Sequence, residues 1–307
     1  MTKNNGFLSL LEALRPSQWI KNLSIFSAAL LNGQLFDTDI FVKSAFGFVA
    51  FCLLSSSSYL INDLQDIDKD RLHPSKKNRP LARGDVSKFS AIATSVALFI
   101  SGLSMASLVN SAFLQLSFVF IILQYSYSFL FKKKAIIDII GIALFFIIRA
   151  YAGEIASGYH LPVWIMLTVI FLSLFIASGK RRTELYVTGR KARSAMKGYG
   201  KALLNFYTTM FAVSTLITYA MFTFLEEPVR FQGIIHHFLL ENFPSAIDRK
   251  WYMITLLPVI FGIMRYGQII FEMQEGEKPE RIITTDIPLI FSIALWGLMI
   301  ITVIYVL

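Results

Sequence analysis

The sequence predicts an all-α, polytopic membrane protein with about nine transmembrane helices. Three observations carry that reading. Of 307 residues, 55% are hydrophobic and only 16% are charged, whereas soluble domains carry about a quarter charged. Apolar runs of about 18 residues or more recur along the chain, each long enough to cross a bilayer core of about 30 Å. The charges between these runs gather in alternate loops.

Residues 7–14 read as a short amphipathic helix lying on the membrane. Arg15, Pro16, Gln18 and Lys21 then interrupt any signal-peptide apolar region. Spans are expected at 20–36, 40–61, 89–109, 112–131, 136–157, 161–179, 204–225, 251–271 and 287–307. The first is short and contains Asn22. Cys52, the single cysteine, lies inside an apolar run, which argues against disulfides and thiolate metal sites. The longest outer loop, about 226–250, holds an apolar stretch at 234–243 suited to an interfacial helix. His236 and His237 are adjacent there and would not share a helix face, so a surface role is expected over a metal site.

Charge orients the bundle. With the N-terminus in the cytoplasm, the inner segments hold 23 Lys and Arg, while the outer ones hold only Arg230, Arg249 and Lys250. This is a strong positive-inside pattern. The formal net charge of +9 is therefore local. It belongs to loops facing anionic lipid and an anionic substrate, and no nucleic-acid module claims it. The whole chain, 1–307, reads as one integral-membrane domain of the plasma (inner) membrane.

After the second span the chain reads NDLQDIDKDRLHPSKKNRPLARGD, residues 62–85. If the helix continues, the 3- and 4-residue steps place Asp63, Asp66 and Asp70 on one face, beside Asn62. Carboxylates so arranged repel one another unless a cation lies between them. Hard oxygen ligands without Cys or His suit Mg²⁺ that shares a substrate phosphate. Lys76, Lys77, Arg79 and Arg83 follow at once, as anion ligands would. The bland alternative is a solvated loop with helix caps.

A second charged inner loop begins where the sixth span ends: Gly179, Lys180, Arg181, Arg182, Thr183, Glu184, then a basic tail to Lys201. One carboxylate among many cations suggests an anion pocket, with Glu184 free to hold a metal, a ribose hydroxyl or the arginines. The alternative is positive-inside decoration. The two charged loops lie four spans apart, hinting at a pseudo-repeat. Other polar residues mark membrane edges: Gln18, Lys21 and Asn22 open the first span, Tyr125, Tyr127 and Lys132 close the fourth, and Asp138 opens the fifth. Arg149 lies inside the fifth span, where an ionisable group is a functional candidate. It is expected either to pair with Glu154 or to face a polar cavity.

Asn62, Asp63, Asp66 and Asp70, followed by His73, Pro74, Lys76, Arg79, Pro80, Ala82 and Gly84, resemble the signature of the UbiA superfamily of intramembrane prenyltransferases. The resemblance covers essentially the whole chain. It implies a bundle around a cytoplasm-facing central cavity, with the aspartates binding Mg²⁺ and a diphosphate and a lipid tail in a space open to the bilayer. Arg15, Pro16, Gln18, Trp19, Lys21 and Asn22 are similar to the opening of the decaprenyl-phosphate phosphoribosyltransferase branch. So are Tyr125, Ser126, Lys132 and Asp138, and Gly179, Lys180, Arg181 and Glu184. Most members that use prenyl diphosphates carry a second Asp motif after the sixth span, and this chain has cations and Glu184 there instead.

The resemblance implies Mg²⁺-dependent transfer of 5-phosphoribose from phosphoribosyl diphosphate to a polyprenyl phosphate, with release of diphosphate, for lipid-linked pentose used in envelope glycans. On that reading Asp63, Asp66 and Asp70 form the metal-binding catalytic set. Gln18, Lys21, Asn22, Asn62, Lys76, Arg79, Tyr125, Lys132, Asp138, Lys180, Arg181 and Glu184 form the substrate-binding set. The acceptor is already an anion and needs no general base. One rival is a prenyltransferase joining a prenyl diphosphate to an aromatic or other acceptor, which predicts the missing second Asp cluster. Another is a transporter or lipid-binding protein, which predicts helices broken at mid-membrane.

Overall fold

A computed structural model describes residues 6–72, 76–189, 194–226, 241–243, 245 and 249–306. His73, Pro74, Arg190, Lys191, Arg193, His236, His237 and the 234–243 stretch up to residue 240 lie outside them.

Among the described residues the chain is helical, without a β-strand. Eight stretches are long and apolar enough to cross a membrane: Thr38–Arg71, Lys88–Val109, Ser111–Lys133, Ile137–Ser157, Val163–Val187, Lys201–Leu225, Trp251–Met273 and Ile287–Tyr305. The helices are α1 (Gly6–Leu14), α2 (Ser27–Leu31), α3 (Thr38–Arg71), α4 (Pro80–Arg83), α5 (Lys88–Val109) and α6 (Ser111–Phe129). They continue as α7 (Ile137–Ser157), α8 (Val163–Thr188), α9 (Lys201–Leu225), α10 (Leu256–Gln268), α11 (Pro279–Thr285) and α12 (Ile287–Tyr305).

The expected first span, 20–36, takes another form. Pro16–Phe26 is a 3₁₀ helix of 11 residues, followed by the five-residue α2. At about 2.0 Å rise per 3₁₀ residue and 1.5 Å per α residue, these 16 residues extend about 30 Å. The segment therefore runs the bundle's length, reaching the far end where Asn32 Nδ2 donates to His160 O at 2.9 Å. Its three-residue turn gives it three edges. Gln18, Lys21, Ser24 and Ser27 form a polar edge tied by Lys21 Nζ to Gln18 Oε1 (2.5 Å), Ser24 Oγ to Lys21 O (3.0 Å) and Ser27 Oγ to Ser24 O (2.6 Å). Asn22, Ile25 and Ala28 form a buried edge, and the exposed Leu23 lies on the third. Gly153 of α7 permits the packing, because a Cβ there would lie 2.5 Å from the Ile25 carbonyl oxygen.

Helix starts follow from side-chain caps, each worth about 1 kcal/mol. Asp37, Ser87, Asn110 and Asp286 accept from the backbone N–H of Ile40, Ser90, Phe113 and Leu289. Small residues and hydroxyls then join helices where lipid offers no hydrophobic drive between them. Ser57 Oγ of α3 donates to Ser95 O of α5 at 2.8 Å, and Thr168 of α8 meets Thr218 of α9 at 3.1 Å. One core packs Phe51 against Phe113 and Phe120, with ring centroids 5.5 and 4.5 Å apart. A second gathers Tyr219, Phe222, Tyr252 and Ile300. Phe206, Met210, Val213, Ile217, Met221 and Phe224 form an exposed apolar stripe along α9, as expected of a face turned to lipid.

Helix α1 was expected to lie on the membrane. Phe7 and Leu8 are exposed, but Ala13 is buried with Leu60, Ile67 and Leu81, which seats α1 on the site end of α3 and α4.

Candidate active site

The second span continues unbroken to Arg71, so α3 projects its acidic face beyond the apolar stretch. There Asp63 and Asp70 are 3% and 4% exposed. Arg79 Nη1 bridges them, 2.9 Å from Asp63 Oδ1 and 2.7 Å from Asp70 Oδ2. Arg15 Nη2 reaches the same Asp63 oxygen at 2.5 Å. Arg15 does so from a left-handed backbone (φ 56, ψ 61) between α1 and the 3₁₀ segment. Such a conformation costs a non-glycine residue about 1–3 kcal/mol, and it concentrates at functional sites. Asp66 faces Lys132 and Lys69, each at 3.3 Å.

These groups line a cavity of about 960 Å³. Gln18, Lys21, Asn62, Asp63, Asp66, Asp70, Lys76, Arg79, Lys132, Lys180, Arg181 and Glu184 all stand on its wall. Among the described residues, ten Lys or Arg and seven Asp or Glu side chains line it. The surplus positive charge suits a polyanionic ligand.

Three expected substrate-binding residues are not on that wall. Asn22 lies on the buried edge of the 3₁₀ segment, bonded to Cys52 Sγ and Arg149 Nε. Tyr125 packs against the Phe51–Phe120 core, while its neighbours Gln124, Tyr127 and Ser128 face the cavity. Asp138 is fully buried behind the wall. It accepts from Tyr127 Oη at 2.8 Å and from Arg181 Nη2 at 3.0 Å, and Arg181 Nε closes a further bond to it. The other side of the Arg181 guanidinium holds Glu184. Arg181 is thus neutralised by two carboxylates and braces α8 against α7. Arg182 is likewise structural, donating to Asn205 Oδ1 and Ile270 O and stacking on Tyr186 and Phe271.

The sequence reading missed a wall segment, the one just before α12. Glu277, Lys278, Glu280, Arg281 and Thr284 all face the cavity. Lys21 Nζ lies 3.3 Å from Glu280 Oε2. Burial opposes ionisation of Glu280, but Lys21, Lys180 and a hydrogen bond from Gln18 outweigh it and hold the carboxyl down at about 2. The strap reaches α8 because Gly276 has no side chain: a Cβ there would meet Thr183 Oγ1 at 2.6 Å. The available signal was local, two Glu alternating with Lys278 and Arg281 in the short charged run GEKPER.

Among the described residues, no three His, Cys, Asp or Glu are grouped as a ready metal cage. The α3 oxygens nevertheless fit a hard divalent cation, with Arg79 standing between Asp63 and Asp70. Asn62 Oδ1 is buried with no hydrogen-bond partner, as befits an oxygen reserved for a ligand.

Residues 23–283 match the profile of the UbiA prenyltransferase family. The decaprenyl-phosphate phosphoribosyltransferase of Mycolicibacterium smegmatis is 34% identical over 284 residues, covering 90% of this chain and 86% of that protein. Its counterpart from Corynebacterium glutamicum is 33% identical over 97% of this chain and 87% of its own length. Among solved structures, a UbiA homologue from Archaeoglobus fulgidus bound to GPP and Mg²⁺ superposes with a TM-score of 0.71 at 23% identity, covering 97% of this chain and 100% of that one.

Proposed function

The chain belongs to the UbiA prenyltransferase family, and on that premise we propose that it transfers 5-phosphoribose from phosphoribosyl diphosphate to a polyprenyl phosphate. Diphosphate is released, and the lipid product feeds lipid-linked pentose synthesis for envelope glycans. The observation that carries this reading is the cationic surplus of a wall that also presents the α3 carboxylates. Asp63, Asp66 and Asp70 stand on α3, and where a second Asp cluster would be expected the wall carries Lys180, Arg181 and Glu184, joined by Lys21, Lys278 and Arg281. The relatives named as phosphoribosyltransferases support the same reading.

Asn62, Asp63, Asp66 and Asp70 would hold Mg²⁺, which when bound neutralises charge on the departing diphosphate. The protein's own task is positioning. Lys76, Arg79 and Lys132 neutralise the donor's diphosphate end, and Lys21 and Lys180 receive its 5-phosphate. An oxygen of the lipid phosphate forms a bond to C1 as the C1–O bond to diphosphate breaks, and the electron pair leaves with diphosphate. Attack from the opposite face inverts C1. No proton moves, so a wall without His among the described residues costs nothing. Bringing two anions to one carbon is the main barrier that the cationic wall lowers.

The positive-inside pattern supports a cavity facing the cytoplasm, from the plasma (inner) membrane, where a water-soluble donor would meet it. The test is purified protein in vesicles with Mg²⁺, ribose-labelled phosphoribosyl diphosphate and polyprenyl phosphate. Label should enter the lipid, with one diphosphate released per lipid. Prenylation of an aromatic acceptor from a prenyl diphosphate, with no label in lipid, would overturn the reading in favour of prenyl transfer.

A further inference from the structure

Arg149 lies eight residues from the far end of α7, hence about 12 Å inside the span. It is 3% exposed and stands on the cavity wall. Nε donates to Asn22 Oδ1 at 2.6 Å and Nη1 to Phe145 O at 2.7 Å, and the guanidinium lies 5.1 Å from the Phe120 ring centroid. None of these partners is anionic. Glu154, the expected partner, instead accepts from Leu161 N at 2.8 Å and faces His160 Nδ1 at 3.5 Å. Among the described residues Arg149 forms no ion pair, and its Nη2 makes no hydrogen bond. An unpaired guanidinium at this depth is costly and is retained where an anion meets it.

The surroundings specify the anion. Tyr59, on the wall beside Arg149, precedes Asp63 by one α3 turn, about 6 Å. Arg149 and the α3 carboxylates line one cavity of about 960 Å³, which has room for a pentose. Ile142, Phe145 and Phe146, on the same helix as Arg149, give the wall an apolar side. A single phosphate carrying an apolar tail fits this combination. A metal-bound diphosphate belongs with the carboxylates. We infer that Arg149, oriented by Asn22, is the seat of the acceptor lipid's phosphate, aiming its oxygen at C1 from the side opposite the diphosphate. This rests on the phosphoribosyl-transfer reading.

The experiment starts from wild-type label transfer. If no label moves, the functional reading fails before Arg149 is in question. If label moves, Arg149→Met should raise the acceptor KM about tenfold to a hundredfold, the range of a charge-assisted hydrogen bond, and leave the donor KM within about twofold. Arg149→Lys should fall between. Farnesyl phosphate binding without donor should be lost in Arg149→Met, while binding of the uncharged farnesol is unchanged. Asn22→Asp supplies Arg149 with an isosteric carboxylate, so, with elution volume and helical signal matching the wild type, it should also lose farnesyl phosphate binding even if Arg149→Met does not fold. An unchanged acceptor KM, a donor-specific defect, or retained farnesyl phosphate binding in Asn22→Asp would overturn the assignment.

Discussion

Arg79 joins Asp63 to Asp70 across two turns of α3, with one nitrogen 2.9 and 2.7 Å from the two carboxylates. The guanidinium occupies the place between carboxylates where a cation is needed. Asp63→Asn and Asp66→Asn should each lower label transfer about a hundredfold to a thousandfold, the usual cost of losing one electrostatic contact to a transition state. Both variants should keep the helical signal and elution volume of the wild type. Near-normal turnover at saturating Mg²⁺ would show that these carboxylates do not serve the reaction.

Arg181 should behave differently. It is 1% exposed between Asp138 and Glu184. Arg181→Ala leaves both acids buried without their cation, a loss of about 3–5 kcal/mol. The apparent Tm should fall without any substrate present. A substrate ligand would instead raise a KM at unchanged Tm.

Glu280 gives a pH signature. Its carboxyl is held down at about 2 by Lys21, Lys180 and Gln18 against the opposing effect of burial. A depressed pKa stabilises the fold fully above the unfolded value near 4.5, and this contribution is lost as pH falls toward 2. The amount is of order 3 kcal/mol. The Tm gap between wild type and Glu280→Gln should be constant from pH 7 to 5 and shrink below pH 4.5. A gap that widens on acidification would contradict the pairing.

Lys21 and Lys180 converge on Glu280 from different elements. Replacing either with Met should raise the KM for phosphoribosyl diphosphate about tenfold, with a smaller effect on the acceptor. Equal KM values for both substrates across both variants would remove these lysines from the donor site.

Gly153→Ala should destabilise by about 1–3 kcal/mol. The new Cβ meets the Ile25 carbonyl oxygen, part of the backbone, at 2.5 Å. Thermal unfolding in detergent measures this directly, and an unchanged Tm would mean that the segment is free to move away.

The Asp63–Asp66–Asp70 face was legible because helical spacing is a local property, and α3 extends as its periodicity implies. The Arg181–Asp138 pair was not, because it joins residues 43 positions apart. Arg149 and Glu154 are five apart, about 140° around a helix, so they cannot share a face. Asn22 was misplaced through its winding. On an α-helix Gln18 and Asn22 would share a face, but on a 3₁₀ helix Gln18 shares one with Lys21. Tyr125 missed the wall by one residue, about 100° from the face of Gln124, Tyr127 and Ser128.

The three-edged opening segment constrains how this chain can vary in length. Each added or deleted residue within Pro16–Phe26 rotates everything beyond it by about a third of a circle. A single insertion before Gln18 would carry Lys21 onto the buried edge and bring Ile20 and Leu23 to the polar edge. Three insertions restore every edge and lengthen the crossing by about 6 Å. Viable length changes in this segment therefore come in threes.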